Sequence, residues 1–512
     1  MRVPRRFDDA DWSLPVHIKQ VSRLNWTRLL ERASELDDTL HTRLKLLEQW
    51  CFFPGSCTNA KKFLPSNGQL LQAKIPQDVF SQLASFGYVR RPDFAAHEAT
   101  SSVCIFPVVE MVMADGIKRY RLRIIFWPEQ VNEEIQSMPF DIMLPTMDDL
   151  TKSIGDEGAV TIDAPAWYTQ YQLPPLSRDY CFYYDNVLWQ CATLPTGHRL
   201  AAHLAQTTLR VIAHLAQLPQ FGPVTQETVC NLYIDNGRFL GNAASATTLA
   251  NAFINAAKSM DMTFDITKEW STVVVFLGIE YNHREGWFRI SDKTLAKLCE
   301  SMDKVLGTGS SPSFRDVLRL FSQLQWCSIA LKIHLCQFYF IYKYLRRRGK
   351  QLKYIDEPAN IWPSIIPTLH RWCALCRTTR TSPRAPPTLP SAWLFTDACL
   401  TGWGAVLFYA GHRIIVSGAF KHHEEIHILE ARALVYALAL TSSILQQFNI
   451  SVLHIRIDNT SVIGAAKNTR SRNFTLNKLI WQFLVASQGW HIDIGYVRSK
   501  DNYADGPSRS FL

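Results

Sequence analysis

Apolar positions along the chain change their period several times, and each change marks an element. From Leu29 they recur at Ala33, Leu36, Leu40, Leu44 and Leu47, which predicts one amphipathic helix packed on the main body as an N-terminal extension. Between about Gly55 and Asp93 the signals are mixed. "KRYRLRIIFW", from Lys118 to Trp127, predicts a strand with basic residues alternating on one face. Two apolar, β-favouring runs follow, "AVTIDA" around Asp163 and "CNLYIDN" around Asp235, and between them Leu200 to Leu218 predicts a helix opening after "LPTG". "TVVVFLGIEYN" predicts a further strand pair. The most apolar long segment, Leu318 to Leu345, is interrupted by Arg319, Gln323, Gln325, Lys332, His334 and Gln337, so it predicts a packed helix pair and no membrane span.

The pattern breaks at "TSPRAPPTLP", Thr381 to Pro390, where four prolines in ten residues exclude both helix and sheet and mark a linker. Beyond it the periods predict strands at Trp393–Asp397, Gly402–Tyr409 and Arg413–Gly418, a helix from Ile428, a strand at Leu453–Asp458, and a last helix and strand. A chain of 512 residues exceeds one core, so two to four domains are expected. Apolar residues at 47% and charged ones at 19% describe a globular chain, and the +9 net charge suits a polyanionic partner without requiring one. Twelve scattered cysteines fit a reducing, intracellular setting. Cys373 and Cys376 form a CxxC with no second pair at zinc spacing, so they read as ordinary helix cysteines. The basic start "MRVPRRFDDADW" lacks the apolar core of a signal peptide.

Carboxylates collect at element ends after the linker. Asp397 closes a strand in "FTDACLTGWGAVLF", Glu430 enters a helix in "EEIHILEARALVYAL", Asp458 closes a strand in "IRIDNTSV", and Asp505 stands in "VRSKDNYADGPSR". Each alone is compatible with a cap or a turn. Four together repel one another unless cations neutralise them, and two hard cations held by carboxylates are what phosphodiester cleavage uses. From Trp393 to Leu512 the order, spacing and flanks resemble ribonuclease H: a "DAxxxGWGA" hairpin, an "IxxLE" helix entry, an "xIDNxS" strand and an "N-x-AD-x-x-SR" close. The resemblance implies that Asp397, Glu430, Asp458 and Asp505 bind a metal pair. Tyr496 precedes Val497 where that family often has a histidine, a departure that puts a histidine contribution to product release in doubt.

In "VCNLYIDNGRFLG" a carboxylate, Asp235, sits at the tip of a hairpin whose turn the pattern places at Asn236–Gly237. An Asp-Asn-Gly sequence is often only a turn, but Asp163 closes the "VTID" strand and Tyr168 follows five residues on. From Ile105 to Tyr281 these pairs resemble the palm of reverse transcriptases. So do the "LPTGHRLAAHLAQ" segment ending at Gln206, the "RLRIIFWPEQVN" finger strand with Arg123 nine residues before Asn132, and "FLGIEY" as a primer-grip hairpin. The resemblance implies that Asp163 and Asp235 hold two magnesium ions (manganese as a substitute) and that Arg123, with Lys118 or Arg121, neutralises the phosphates of a deoxynucleoside triphosphate. It makes Tyr168 the steric gate against a 2′-hydroxyl and Gly197 a point of close backbone approach to the nucleotide. Gln206 becomes a template-side support and Lys268 a proton donor to pyrophosphate. Two departures stand out. Asn236 occupies the place of a second aspartate, which lowers metal affinity unless the amide orients a ligand, and Trp167 replaces a small residue, which crowds the pocket.

The expected fold is therefore an α/β multidomain chain. It comprises a helical extension (1–60), right-hand polymerase fingers and palm (61–290), a helical thumb and connection (291–380), a linker (381–390) and an α/β ribonuclease H-like domain (391–512). The phrasing "YIDN…FLGIEYN" and "HILE…N-x-AD" most resembles the tyrosine-recombinase retroelements (DIRS, Ngaro, VIPER), the VIPER type above all, with hepadnavirus- or caulimovirus-like polymerases as the next family. No Asp-Thr-Gly or Asp-Ser-Gly protease triplet and no zinc-binding integrase pattern occurs in the sequence. Implied partners are an RNA template, a DNA primer, the RNA–DNA hybrid and deoxynucleotides, together with an element-encoded recombinase and capsid-like protein. "KYLRRRGKQLK" gathers Lys343, Arg346, Arg347, Arg348, Lys350 and Lys353 on one helix end, as contacts to template–primer phosphates, a solvated face or a nuclear-import signal. A different reading is a domesticated or decayed element that binds nucleic acid without polymerising, for which Asn236 and Trp167 are the sequence evidence.

Overall fold

The N-terminal apolar repeat forms two helices, not one: α1 (Trp26–Leu36) and α2 (Asp38–Phe52). Asp37 separates them. Its extended backbone ends α1, and its carboxylate accepts from the Thr39 and Leu40 N–H groups at the start of α2. The step from Leu36 to Leu40 keeps helical spacing across this break, so the periodicity alone does not reveal it. The structure, a computed structural model, describes residues 11–57, 75–114, 117–135, 140–152, 157–217, 229–307, 309, 311–381 and 390–510. The first ten residues and 382–389 of the expected linker lie outside the described residues. The chain divides into two units, one of residues 4–286 and one chiefly of residues 287–512, giving a mixed α/β multidomain architecture.

In the first unit, β1 (Cys104–Ala114) and β2 (Ile117–Trp127) form a long antiparallel hairpin. A four-stranded antiparallel sheet follows, built from β3 (Gly158–Asp163), β4 (Val229–Tyr233), β5 (Asn236–Gly241) and β6 (Asp265–Ser271) in the order β4-β5-β3-β6. Strand β3 is buried from Gly158 to Ile162, Thr161 included, as a strand paired on both edges inside the sheet. Helices α3 (Ala201–Ala216) and α4 (Ala243–Lys258) share one apolar cluster with this sheet and with α1 and α2. Helix α4 is alanine-rich and buried around much of its circumference, so it shows no clear amphipathic stripe. The expected strand pair is β7 (Val273–Phe276) and β8 (Ile279–Asn282), joined through Leu277 and Gly278, both at positive φ.

The second unit opens with a short strand, Trp287–Ile290, followed by α5 (Asp292–Leu306), α6 (Phe314–Ala330), α7 (Tyr339–Gln351) and α8 (Ile366–Thr378). Trp372 of α8 is fully buried and stacks on Phe338 at 3.9 Å, and Cys373 and Cys376 are buried on the same helix, ordinary core cysteines. A five-stranded sheet follows: β9 (Ser391–Ala398), β10 (Gly402–Tyr409), β11 (His412–Ala419), β12 (Val452–Ile457) and β13 (His491–Tyr496), ordered β11-β10-β9-β12-β13. The β9–β12 and β12–β13 pairs are parallel and the others antiparallel. Helix α9 (Ile426–Gln447) is long and apolar enough to cross a membrane, yet Ile428, Leu429, Leu434 and Leu438 are buried in the core of this sheet. The expected last helix is two, α10 (Thr460–Lys467) and α11 (Phe474–Ala486), each capped by an asparagine side chain, and α12 (Asp505–Ser508) closes the described chain.

Candidate active sites

The β4–β5 register pairs Tyr233 with Asn236, so Ile234 and Asp235 are the two turn residues. This corrects the expected turn at Asn236–Gly237. Ile234 takes φ of +58°, a strained value for a β-branched residue. Gln206 of α3 supports it: its amide oxygen accepts from the Ile234 N–H at 2.8 Å, and its amide nitrogen donates to the Leu232 carbonyl at 3.1 Å. Gly237 is required for a different reason, since a Cβ there would meet Ile162 of β3 at 2.8 Å. That close pass sets Asn236 opposite Asp163, and the Ala164 N–H donates to the Asp235 carbonyl at 2.8 Å.

Two half-buried carboxylates therefore share one end of the sheet. Desolvation first, and the neighbouring Asp235 charge second, push Asp163 up to about 6. Burial also raises Asp235, countered by the Asn236 amide, which donates to its Oδ1 at 2.6 Å. Asn236 is thus turned onto the catalytic candidate as an orienting donor. Trp167 points away from the site: it is buried, with Tyr171 at 5.5 Å and Phe264 at 5.2 Å, which corrects the expected crowding. Tyr168, next in the same turn, is half-buried near Asp235 and Arg123, and burial pushes its phenol up to about 12.

Other expected residues divide. The positive charge of Arg123 on β2 reaches Asp163, Asp235 and Tyr168. Arg121 is committed elsewhere, paired with Glu110 at 2.9 Å and beside His17 at 3.1 Å. Lys118 lies in β2, its side chain outside the described residues. Gly197 packs closely on β2: its N–H donates to the Phe126 carbonyl, and a Cβ would meet Trp127 at 2.9 Å. Gln206 holds the Ile234–Asp235 hairpin through its bonds to Leu232 and Ile234. Lys268 is exposed on β6, and the lysine whose charge acts on Asp163 is Lys19.

Lys19 and Asp265 are what sequence reasoning missed. Residues 15–17 pair with Leu122 on β2, and Leu24 and Asn25 donate to the carbonyls of Gln170 and Met260. This strap lays Lys19 3.9 Å from Asp265, which stands opposite Asp163 across the β3–β6 ladder. No local motif marks either residue; only the pairing of the strap with β2 brings them in.

In the second unit, one carboxylate oxygen each from Asp397, Glu430 and Asp458 lies within 4.8 Å of the others. Asp397 ends β9, Glu430 is one turn into α9, and Asp458 follows β12. Gly404, opposite Asp397, lets α12 approach, since a Cβ there would meet the Ser508 backbone nitrogen at 2.5 Å. Ser508 then donates to Asp397, and Ser499 donates to Asp458 at 2.6 Å. Asp505 stands outside the triad, bound by Arg509 at 2.6 Å, but its charge still acts on Asp397. Burial, with repulsion from Asp397 and Asp458, pushes Glu430 up to about 9, and burial pushes Asp397 up to about 6. One Glu430 oxygen accepts from the Ala398 N–H, while Oε2 is buried without a hydrogen-bond partner. A divalent cation among these oxygens would satisfy the orphan and cancel the repulsion, so the donor set fits a hard metal. At the first pair, a cation would cancel the repulsion by which the Asp235 charge raises Asp163.

No protein-family model and no curated protein matches the chain. Among solved structures it is similar to a foamy viral protease-reverse transcriptase in complex with RNA/DNA hybrid, at 12% identity and TM-score 0.47, covering 94% of this chain and 64% of that one. It is also similar to the dRH form of that protein with double-stranded DNA, at 11% and 0.48, covering 95% and 84%. A third match is the protease-reverse transcriptase with double-stranded DNA, at 13% and 0.47, covering 94% and 99%. The chain thus spans about 64% of the length of the first of these.

Proposed function

We propose that this chain is an RNA-directed DNA polymerase that also degrades the RNA strand of the hybrid it makes, from a retroelement of the tyrosine-recombinase group. The observation that carries the reading is that one chain holds two separate acidic sets, each gathered beside its own sheet. On this reading residues 61–290 are fingers and palm, 291–380 thumb and connection, and 391–512 the ribonuclease H domain. Two divalent cations per site, magnesium or manganese, would be held by Asp163 and Asp235 and by Asp397, Glu430, Asp458 and Asp505; when bound they neutralise phosphate charge and activate the attacking oxygen. Arg123 and Lys19 supply positive charge toward the triphosphate, Tyr168 closes the space beside the sugar, and Gln206 fixes the strained turn that aims Asp235. Two observations favour the polymerase over a non-polymerising, decayed element: Trp167 is buried, and the Asn236 amide donates to Asp235.

Extension of a DNA primer on RNA and on DNA templates, with magnesium and manganese compared, tests the reading; no extension under any of these conditions would overturn it. Two narrower results are expected. Tyr168→Ala admits ribonucleotides, read as the ratio of ribo- to deoxynucleotide incorporation, because the gate excludes by bulk; an unchanged ratio assigns the gate elsewhere. Asn236→Ala raises the magnesium midpoint of extension about tenfold while the rate at saturation changes little, since one charge-assisted hydrogen bond orients Asp235. An unmoved midpoint would make Asn236 a strand residue only.

A further inference from the structure

Phe340, Lys343, Arg347 and Lys350 recur along α7 at three- and four-residue intervals, flanked by Tyr339 and Arg346, so they share one face of the helix. The face spans roughly 15 Å. Phe340 is 52% exposed and stands 5.7 Å from the ring of Phe474, itself 51% exposed at the start of α11. Tyr339 lies 5.1 Å from Phe474, and the Lys343 ammonium lies 5.8 Å over Phe340. Lys478 follows one turn after Phe474, and Arg472 is exposed just before it. Among the described residues, the ion pairs of this unit use other cations. Arg348 does not belong to this face: it donates to the Pro358 carbonyl and braces the helix end.

The aromatic cluster is held in place. The Leu335 N–H donates to Thr469 Oγ1 at 3.1 Å, the buried Asn477 amide donates to the Cys336 carbonyl at 2.9 Å, and the Tyr339 hydroxyl donates to the Arg472 carbonyl at 3.2 Å. Arg470 covers Tyr342 at 4.6 Å. Fixed, half-exposed rings beside cations without carboxylate partners want flat apolar faces and phosphates from one partner. A duplex offers phosphates but hides its base faces, and an acidic peptide offers charge without regular flat rings. A single strand offers both.

We propose that the face made by α7 and the start of α11 binds single-stranded nucleic acid, with bases stacking on Phe340 and Phe474 and phosphates lying along Lys343, Arg346 and Lys350. The proposal requires neither active site. In the full chain with a chelator present, a short iodouracil-substituted oligodeoxynucleotide is expected to photocrosslink to peptides containing Tyr339, Phe340 or Phe474. Phe340→Ala with Phe474→Ala should weaken single-strand binding, measured by fluorescence anisotropy, by about tenfold or more, and leave affinity for a blunt duplex unchanged. Phe474→Tyr should retain binding, since the ring is kept, and so separates stacking from loss of fold. Lys343→Gln should lower the salt dependence of single-strand binding by about 0.7 in slope. Crosslinks confined to other peptides, or equal losses for single strand and duplex in the double variant, would overturn the assignment. Primer extension failing in wild type would count against the proposed function and leave this face untouched.

Discussion

Asp235→Asn is expected to lower primer extension by at least about a thousandfold while cleavage of the RNA strand of a hybrid continues at the wild-type rate. The carboxylate stands on a two-residue turn that Gln206 grips from two sides, so the hairpin persists when the charge is removed. The change relieves repulsion. Asp163 has its folded pKa raised to about 6 by burial and by Asp235, so the native state holds its proton more tightly than the unfolded chain. The sign follows: ionising this pair costs stability as pH rises from the ordinary carboxylate range through about 6, and an amide at 235 removes part of that cost. Thermal unfolding of Asp235→Asn near neutral pH should therefore show no loss of stability in the first unit. A variant that lost both extension and cleavage, with a lowered melting temperature, would mean that the turn had collapsed.

Glu430→Gln is expected to abolish hybrid cleavage and at the same time to stabilise the metal-free protein. The side chain is 3% exposed, and burial with two neighbouring carboxylates raises it to about 9. Its folded value lies above its unfolded one, so the carboxyl is harmless below the ordinary glutamate range. It becomes progressively destabilising as pH climbs toward 9. In a chelator near pH 8, Gln should recover on the order of 1–3 kcal/mol, a rise of several degrees in melting temperature for a unit of this size. Wild type should show the opposite linkage with metal, gaining stability on magnesium addition at pH 8 more than at pH 5. A Gln variant that melts lower than wild type in chelator would show that Glu430 is held by bonds the structure does not contain.

Strand and helix types were legible wherever one face is buried and the other wet, as in β2, and wherever a strand is buried on both, as in β3. They failed where burial removes the contrast, as in the alanine-rich α4, and where a cap hides inside a continuing period, as at Asp37. The acidic residues were legible because recurring local patterns place them at the ends of strands and the starts of helices. Their supports were not. The two bonds of Gln206 to the Ile234–Asp235 turn, and the packing of Gly197 on Trp127, join residues far apart in the chain and leave no trace in the local pattern. The Ile234–Asp235 turn defies local preference: Asn-Gly is the stronger turn former, but the close pass of Gly237 over Ile162 draws both residues into the strand. Lys19 lies 144 positions before Asp163, and no spacing rule connects them.

The central claim is that two acidic sites on separate sheets perform two separable reactions. The most direct measurement follows one substrate carrying distinguishable labels on its RNA template and its DNA primer, acted on by wild type, Asp235→Asn and Glu430→Gln. Wild type should lengthen the primer and shorten the RNA, Asp235→Asn should only shorten the RNA of a preformed hybrid, and Glu430→Gln should only lengthen the primer. Loss of both signals in either variant, or persistence of both, would contradict it.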